Sequence, residues 1–405
     1  MIGWLTGTLA RLDANPYLSA IRAGMVAVVP LTIAGGLFMI VANLPVPGWE
    51  ARIAPYLPLL QIPVSATFGV LAIVACLAIA YELGRRFGQD AFASASIALV
   101  VLLLISIDPG TGTFVPDSLG SRGLFTAILV AVVCVRTQKV FTDHELVIRM
   151  PAGVPAMVRE SFLSLVPLCV LIALFWLIRF AAGLDINALV QRAFSPLIAA
   201  LNTLPGILGY ALLVTMLWSV GINGDNAVDT VVAPIFLQYL AANTEAVSRG
   251  LTPPFVTAYG FFTTFVNVGG TGATLALALL LCRSRDAAYR KVARLSLPTQ
   301  VFQINEPIFF GLPIVLNPIF MVPYVLNALL LTAGTYALMA AGLVRRPFIN
   351  VPWTTPPVLG HYLVTGGDWR AAVWGALSIV LAMAVYYPFA KVATARRRVE
   401  SETQT

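Results

Sequence analysis

Charged residues are scarce in this sequence. Of its 405 residues only 11% are Asp, Glu, Lys or Arg, whereas 59% are hydrophobic. A soluble globular chain carries about 25% charged residues. The composition excludes an ordinary water-soluble fold, because too few polar groups are present to cover its surface. It indicates an integral membrane protein.

Histidine and cysteine are also rare, and the sequence contains no metal or redox motif. The two histidines are His144 and His361. Two histidines cannot by themselves supply a metal cluster, so we expect no metal. The cysteines are far apart and include no CxxC pair, which favours small core residues over a functional cluster. They are Cys76, Cys134, Cys169 and Cys282.

Motifs for nucleotides and nucleic acids are missing as well. The glycine-rich stretch 267–274 is not a phosphate-binding loop, because no lysine follows it and no strand precedes it. The net charge of +7 could suggest nucleic acid, but the basic residues lie between apolar runs. We expect no cofactor and no nucleic-acid partner.

The chain contains many long apolar runs. A helix needs about 20 mostly apolar residues to cross the hydrocarbon core of a bilayer. The runs are continuous and do not alternate, which favours helices over a barrel of strands. They predict an all-α integral membrane protein with a single membrane domain. The candidate spans are 21–44, 65–83, 91–107, 123–141, 161–182, 205–221, 256–282, 313–343 and 370–392.

The basic residues predict the orientation of these spans. With the N-terminus inside, most of the 25 Lys and Arg residues fall in inside segments. The outside loops 45–64 and 108–122 contain only Arg52 and Arg122, respectively. This distribution satisfies the positive-inside rule. We therefore expect a multi-pass protein with both termini in the cytoplasm.

Three stretches interrupt the apolar pattern with Gly, Pro, Asn or acidic residues, namely 218–226, 267–274 and 298–313. Irregular backbone at membrane depth is tolerated only where protein buries it or where it lines a wet cavity. Broken helices of this kind form the substrate sites of transporters. The three stretches therefore predict a binding site.

Glu306 is the sharpest candidate residue of that site. It lies between Asn305 and Pro307 in an apolar setting, where a carboxylate is costly and is usually functional or paired. The alternative is a structural acid that caps a helix or pairs with an arginine. Asn305 and Asn223 can donate and accept hydrogen bonds, as sugar hydroxyls require, although helix capping explains an asparagine equally well.

Other residues complete the predicted substrate site. Trp353 can stack on the apolar face of a sugar ring, or it can belong to the interfacial aromatic belt. Gly270 permits close backbone approach. Gln303 lies in the third irregular stretch, and His361 follows shortly after Trp353. We expect Glu306 to take part in the chemistry and all of these residues to contact substrate.

The stretch 304–318 reads Ile-Asn-Glu-Pro-Ile-Phe-Phe-Gly-Leu-Pro-Ile-Val-Leu-Asn-Pro. It resembles the signature of the lactose/cellobiose (diacetylchitobiose) type of phosphotransferase permease, the IIC subunit. Stretches that are similar to other parts of that family are 15–31, 119–125, 150–162 and 351–356. The resemblance extends over nearly the whole chain.

The resemblance implies a bacterial inner-membrane homodimer of about ten transmembrane helices with two re-entrant hairpins. Residues 1–182 would form the dimerisation half, 183–392 the substrate-carrying half, and 393–405 a basic cytoplasmic tail. The substrate would be a sugar, most simply a disaccharide of the cellobiose, diacetylchitobiose or lactose class. A separate, phosphorylated IIB subunit would supply the phosphoryl group to the sugar 6-hydroxyl at the cytoplasmic face. Glu306 and Asn305 would bind near that hydroxyl, with Trp353 beside the sugar.

One position departs from the family pattern. The chain has Asn223 where the family usually has histidine, so any proton chemistry of an imidazole is lost there. The departure keeps two alternatives open: a sugar-sensing membrane protein with the same fold, and an ion- or proton-coupled sugar transporter. A neighbouring IIB gene favours the permease, whereas uptake that collapses with an uncoupler and ignores loss of IIB favours the coupled transporter.

The orientation can be tested at the basic segment 283–294, which we expect to be cytoplasmic. Ser284→Cys, in a background without the four native cysteines, should react with a membrane-impermeant thiol reagent only after the cells are opened. Labelling of intact cells from outside would overturn the orientation and the proposed IIB-facing surface together.

Overall fold

The computed structural model describes residues 15–44, 47–148, 151, 156–312, 314–315 and 317–402. Within these ranges the chain is helical, and the only strand-like pairing is an isolated bridge between Ile107 and Phe114. The all-α prediction is therefore confirmed. The predicted family stretch 150–162 lies partly outside the described residues, as do positions 313 and 316 of the stretch 304–318.

The first part of the chain forms eight α-helices. They are α1 Pro16–Ala42, α2 Trp49–Ile53, α3 Leu57–Phe68, α4 Leu71–Arg86, α5 Ala91–Ile105, α6 Pro116–Leu119, α7 Leu124–Asp143 and α8 Ala156–Trp176. Short 3₁₀ turns Ala54–Tyr56 and Ser121–Gly123 connect some of them, and a π-helical turn Leu177–Ala181 extends α8.

The second part forms nine more. They are α9 Ile186–Leu201, α10 Leu204–Ser219, α11 Gly224–Ser248, α12 Thr274–Leu281, α13 Ala287–Val301, α14 Glu306–Gly311, α15 Pro318–Ala340, α16 Pro357–Val364 and α17 Trp369–Glu402. A π-helical turn Phe261–Val266 and a 3₁₀ turn Thr271–Ala273 precede α12.

Seven helical segments among the described residues are long and apolar enough to cross a membrane, or eight if the bent pair α9–α10 counts as one span. Every predicted span contains a helix, but several differ from the expectation: α5 has only 15 residues, α10 meets α9 at an angle of 87°, and the span 256–282 is broken into two short turns and the eight-residue α12. The run 313–343 contains one long helix, α15. The total of about ten spans and the two re-entrant hairpins remain predictions.

Side chains of the local sequence explain where several helices begin. The residue before the helix accepts hydrogen bonds from the first free backbone N–H groups, as capping residues do. These caps are Asn15, Asp90, Asp185, Thr203, Asn223, Asp286 and Asn317.

The helices of the first part pack around α4, which contacts α1, α5 and α7. Small residues make this possible, because helices in a membrane associate through close backbone approach. A side chain at Gly24 of α1 would overlap Ile79, and one at Gly84 would lie 2.7 Å from Ser94 Oγ. The interface therefore depends on glycine at both positions.

The irregular segment 261–281 lies in the centre of the second part. Within its most apolar stretch of 18 residues, 89% of the residues are buried inside the protein. The segment packs against α15, α16 and α17. Its broken backbone is thus shielded from lipid, as irregular backbone at membrane depth requires. The two parts meet where α11 contacts α1 and where α9 contacts α7.

Asn243 of α11 holds two loops of the second part. Its Oδ1 accepts a hydrogen bond from the Phe255 N–H at 2.9 Å, and its Nδ2 donates to the carbonyls of Phe255 and Pro347 at 2.8 and 2.7 Å. The side chain is fully buried. Three backbone groups therefore depend on one amide.

Asn243→Leu should lower the melting temperature clearly, because each buried backbone group left without a partner costs about 1–3 kcal/mol. The control is Glu245→Gln on the same helix, which removes only an exposed ion pair with Arg249, worth about 0–1 kcal/mol. Thermal unfolding of the purified proteins in detergent measures both. Equal melting temperatures for the two variants would contradict the role given to Asn243.

Candidate functional site

The irregular stretches enclose a cavity of about 470 Å³, a size typical of small-molecule sites. Helix α1 forms one wall, the beginning of α11 another, and the segments 267–271 and 303–306 form the base. Its lining residues are Val26, Val29, Pro30, Trp218, Asn223, Asp225, Asn226, Asp229, Tyr259, Thr263, Asn267, Gly270, Thr271, Gln303, Asn305, Glu306 and Trp353.

A pair of polar side chains supports the glycine-rich backbone at the base. Gln303 Oε1 accepts hydrogen bonds from the N–H groups of Gly269 and Gly270 at 2.6 and 3.2 Å. Asn305 Nδ2 donates to the Thr271 carbonyl at 3.1 Å. Both side chains are buried. The two segments therefore satisfy each other's polar groups at membrane depth, where water cannot.

Asp225 connects three elements of the cavity wall. Its Oδ2 accepts hydrogen bonds from Trp218 Nε1 at 2.8 Å and from Thr271 Oγ1 at 2.6 Å. Its Oδ1 accepts one from Asn267 Nδ2 at 3.2 Å. The end of α10, the start of α11 and the glycine-rich segment are thereby held by one carboxylate. Charge-assisted bonds of this kind are stronger than neutral ones.

Glu306 is left free by this network. It is the first residue of α14 and is exposed to the cavity. Its carboxylate forms no hydrogen bond or ion pair with the described residues, so the structure gives no support to an arginine partner. Asn305 precedes α14 without a side-chain cap. Glu306 thus presents a charged acceptor to whatever enters the cavity.

Asn223 was interpreted either as a helix cap or as a substrate-binding residue, and its position in the structure is compatible with both. Its Oδ1 accepts a hydrogen bond from the Asn226 N–H at 2.9 Å and so caps α11. The residue also lines the cavity. Its Nδ2 makes no hydrogen bond with the described residues, which leaves this amide nitrogen available as a donor.

Two tryptophans border the cavity. Trp353 is 55% exposed, and its loop is attached to α1 through a buried hydrogen bond from Asn350 Nδ2 to Thr32 Oγ1 at 2.7 Å. Trp218 is buried and packs edge-on against Phe309, with 5.0 Å between ring centroids. Trp353 is free to contact a ligand, whereas Trp218 is fixed.

Six of the seven predicted site residues line the cavity, and His361 does not. Its ring is fully buried in α16 and packs edge-on against Phe265 at 4.4 Å. A side chain at Gly375 would lie 2.8 Å from the His361 ring. Nearness to Trp353 in sequence suggested a shared site, but the start of α16 turns His361 into the protein core.

The sequence reasoning missed several lining residues, including Asp229, Tyr259 and Thr263. A signal for Asp229 was present, because it lies four residues after Asp225 and residues at that spacing share a helix face. It was overlooked because α11 was not predicted as a helix. The lining residues of α1, by contrast, carry no local signal in an evenly apolar run.

Comparison with known proteins gives a consistent result. The profile of the family described as "Phosphotransferase system, EIIC" matches residues 22–328. The cellobiose-specific EIIC component of Geobacillus stearothermophilus is 33% identical, with 97% of this chain and 93% of that protein covered. The lactose-specific EIICB component of Streptococcus mutans serotype c (strain ATCC 700610 / UA159) is 30% identical, with 94% of this chain and 70% of that protein covered.

The fold is similar to a solved structure as well. The crystal structure of ChbC, the IIC component from the N,N'-diacetylchitobiose-specific phosphotransferase system, superposes with a TM-score of 0.92. The sequence identity is 32%, and 99% of this chain and 98% of that chain are covered.

Gly270→Ala should disrupt the base of the cavity. Gly270 has φ +103°, and an added Cβ would lie 2.5 Å from Asn305 Cγ. We expect a loss of stability of at least about 1–3 kcal/mol, the usual cost of a strained backbone, measured as a lower melting temperature. The control is Gly209→Ala in α10, where nothing lies within 4 Å and alanine is the better helix former. Equal stability of both variants would exclude the tight contact.

Proposed function

The chain belongs to the phosphotransferase system EIIC family, and we propose that its cavity binds a sugar and presents the sugar 6-hydroxyl for phosphorylation. The protein is an integral membrane permease of the IIC type, for sugars of the cellobiose and lactose class. The free carboxylate of Glu306 in the cavity is the observation that carries the proposal.

The remaining lining residues suit a sugar. Sugar hydroxyls donate and accept hydrogen bonds, and the cavity offers amides of Asn223 and Asn226 together with the hydroxyls of Tyr259 and Thr263. The exposed indole of Trp353 can cover the apolar face of a sugar ring. The combination of a few polar groups with apolar surface is typical of small-molecule sites.

Glu306 acts as the proton acceptor in this proposal. The sugar O6 attacks the phosphorus of a phosphocysteine on IIB, the bond between phosphorus and sulfur breaks, and the thiolate leaves. The proton of the 6-hydroxyl passes to the Glu306 carboxylate, as in general base catalysis. No described lining residue is a histidine, because Asn223 stands at the usual position and His361 lies outside the cavity.

The proposed IIB surface includes helix α13, which contacts the helix that begins with Glu306. Much of the basic segment 283–294 is the beginning of helix α13. Four cations of this segment are exposed: Arg283, Arg285, Lys291 and Arg294. Helix α13 contacts α14, which begins with Glu306. A basic surface next to the acceptor site supports docking of a soluble acidic partner.

The relatives support a IIB partner, since the lactose-specific protein of Streptococcus mutans is named as an EIICB component and extends beyond the part matched here. We further propose a homodimer with both termini in the cytoplasm. In it, residues 1–182 form the dimer scaffold, 183–392 carry the sugar, and 393–405 form the basic tail.

Glu306→Gln should nearly abolish sugar binding and phosphorylation-coupled uptake. The amide keeps the shape, but it loses a charge-assisted hydrogen bond worth about 1.5–3 kcal/mol and cannot take up the proton. Isothermal titration with cellobiose and uptake into cells with a matching IIB measure the two effects. The control is Glu245→Gln, outside the cavity. Wild-type affinity and uptake in Glu306→Gln, with an unchanged melting temperature, would show that Glu306 is structural.

A further inference from the structure

The sugar cavity has an unusual balance of charge. Three carboxylates line it, those of Asp225, Asp229 and Glu306. None of its described lining residues is a lysine, an arginine or a histidine. Asp225 holds the cavity wall and Glu306 is the proposed proton acceptor, which leaves Asp229 without a role toward a neutral sugar, although a carboxylate is expensive to maintain at membrane depth.

Protein donors satisfy only one of the three carboxylates well. Asp225 accepts three hydrogen bonds from neighbouring elements. Asp229 receives one long bond from the Tyr210 hydroxyl at 3.4 Å. Glu306 receives none from the described residues. Arg22 on α1 attracts Asp229 and offsets part of that one charge.

One neutral hydrogen-bond acceptor among the lining residues also lacks a donor. Asn267 lines the cavity and is only 8% exposed, and its Oδ1 has no hydrogen-bond partner. Its Nδ2 is already used by Asp225. A buried acceptor without a donor costs about 1–3 kcal/mol. A ligand that brings hydrogen-bond donors suits the acceptors of Asp229 and Glu306.

A metal ion is not the missing cation. Among the described residues, no group of three or more His, Cys, Asp or Glu side chains is arranged to hold one. A substrate can supply the positive charge itself. An ammonium group provides both the charge and three N–H donors.

We propose that the preferred substrate is an amino sugar: a β-linked disaccharide with a protonated amine in place of a hydroxyl. The inference rests on the proposed sugar site. The ammonium group lies against Asp229, where charge-assisted hydrogen bonds act in surroundings of lower dielectric than water. An amine at the 2-position leaves the 6-hydroxyl unchanged, so phosphorylation by IIB remains possible.

Three disaccharides with the same linkage test the inference by isothermal titration of the purified protein at about pH 6.5. Cellobiose carries hydroxyls at both 2-positions, the β-1,4-linked glucosamine disaccharide carries ammonium groups there, and diacetylchitobiose carries neutral amides. We expect the glucosamine disaccharide to bind at least about tenfold more tightly than cellobiose, or about 1.4 kcal/mol. Because diacetylchitobiose keeps the nitrogen without the charge, it should not share this gain.

Asp229→Asn identifies the carboxylate responsible. In this variant the affinity ratio of the glucosamine disaccharide to cellobiose should fall to about threefold or less, while Asp229→Glu should retain most of it. Glu245→Gln, an acid-to-amide change on the same helix outside the cavity, should keep the wild-type ratio. Melting curves identify any variant that has lost its fold.

The outcomes separate the inference from the proposed function. Binding of cellobiose with no gain for the glucosamine disaccharide overturns the amino-sugar inference and leaves the sugar site in place. An unchanged ratio in folded Asp229→Asn overturns the assignment to Asp229. If none of the three disaccharides binds, the proposed sugar site itself fails, and the inference fails with it.

Discussion

The structure depends on how broken backbone is satisfied inside a membrane. In hydrocarbon no water is available to pair with a free N–H or C=O group. Here the side chains of Gln303 and Asn305 bind the glycine-rich segment, and Asp225 joins that segment to α10 and α11. These hydrogen bonds allow two irregular stretches to meet at membrane depth. The cavity is the space that remains between them.

The same arrangement divides the polar residues into two groups. Gln303, Asn305 and Asp225 use their hydrogen-bonding groups on the protein, so they position the cavity wall. Glu306 and Asp229 keep much of their capacity for a ligand. A preorganised wall with free acceptors favours binding without a large ordering cost. Helix α13 carries exposed cations and contacts α14, an arrangement that suits the docking of the soluble phosphoryl donor that we propose.

Sequence reasoning identified much of the cavity lining where a local rule was broken. Glycine, proline, asparagine or glutamate within apolar runs marked 267–274 and 298–313, and these stretches form the base of the cavity. It failed where the pattern was ordinary or mixed. Helix α11 was missed because its Asp, Asn, Thr and Gln residues interrupt the apolar pattern, although the helix is 25 residues long. His361 was expected in the cavity on sequence distance alone.

The sequence by itself determined that this protein lies in a membrane, that its fold is all-α and which family it belongs to. Composition and run length depend only on the transfer of residues into hydrocarbon, and a short specific motif is read directly. Tertiary structure alone decided which acids are free. Glu306 stands out in the sequence by its apolar setting, but nothing there separates Asp225 from Asp229, and only Asp225 meets Trp218, Asn267 and Thr271. Those partners come from separate elements, and packing brings them together.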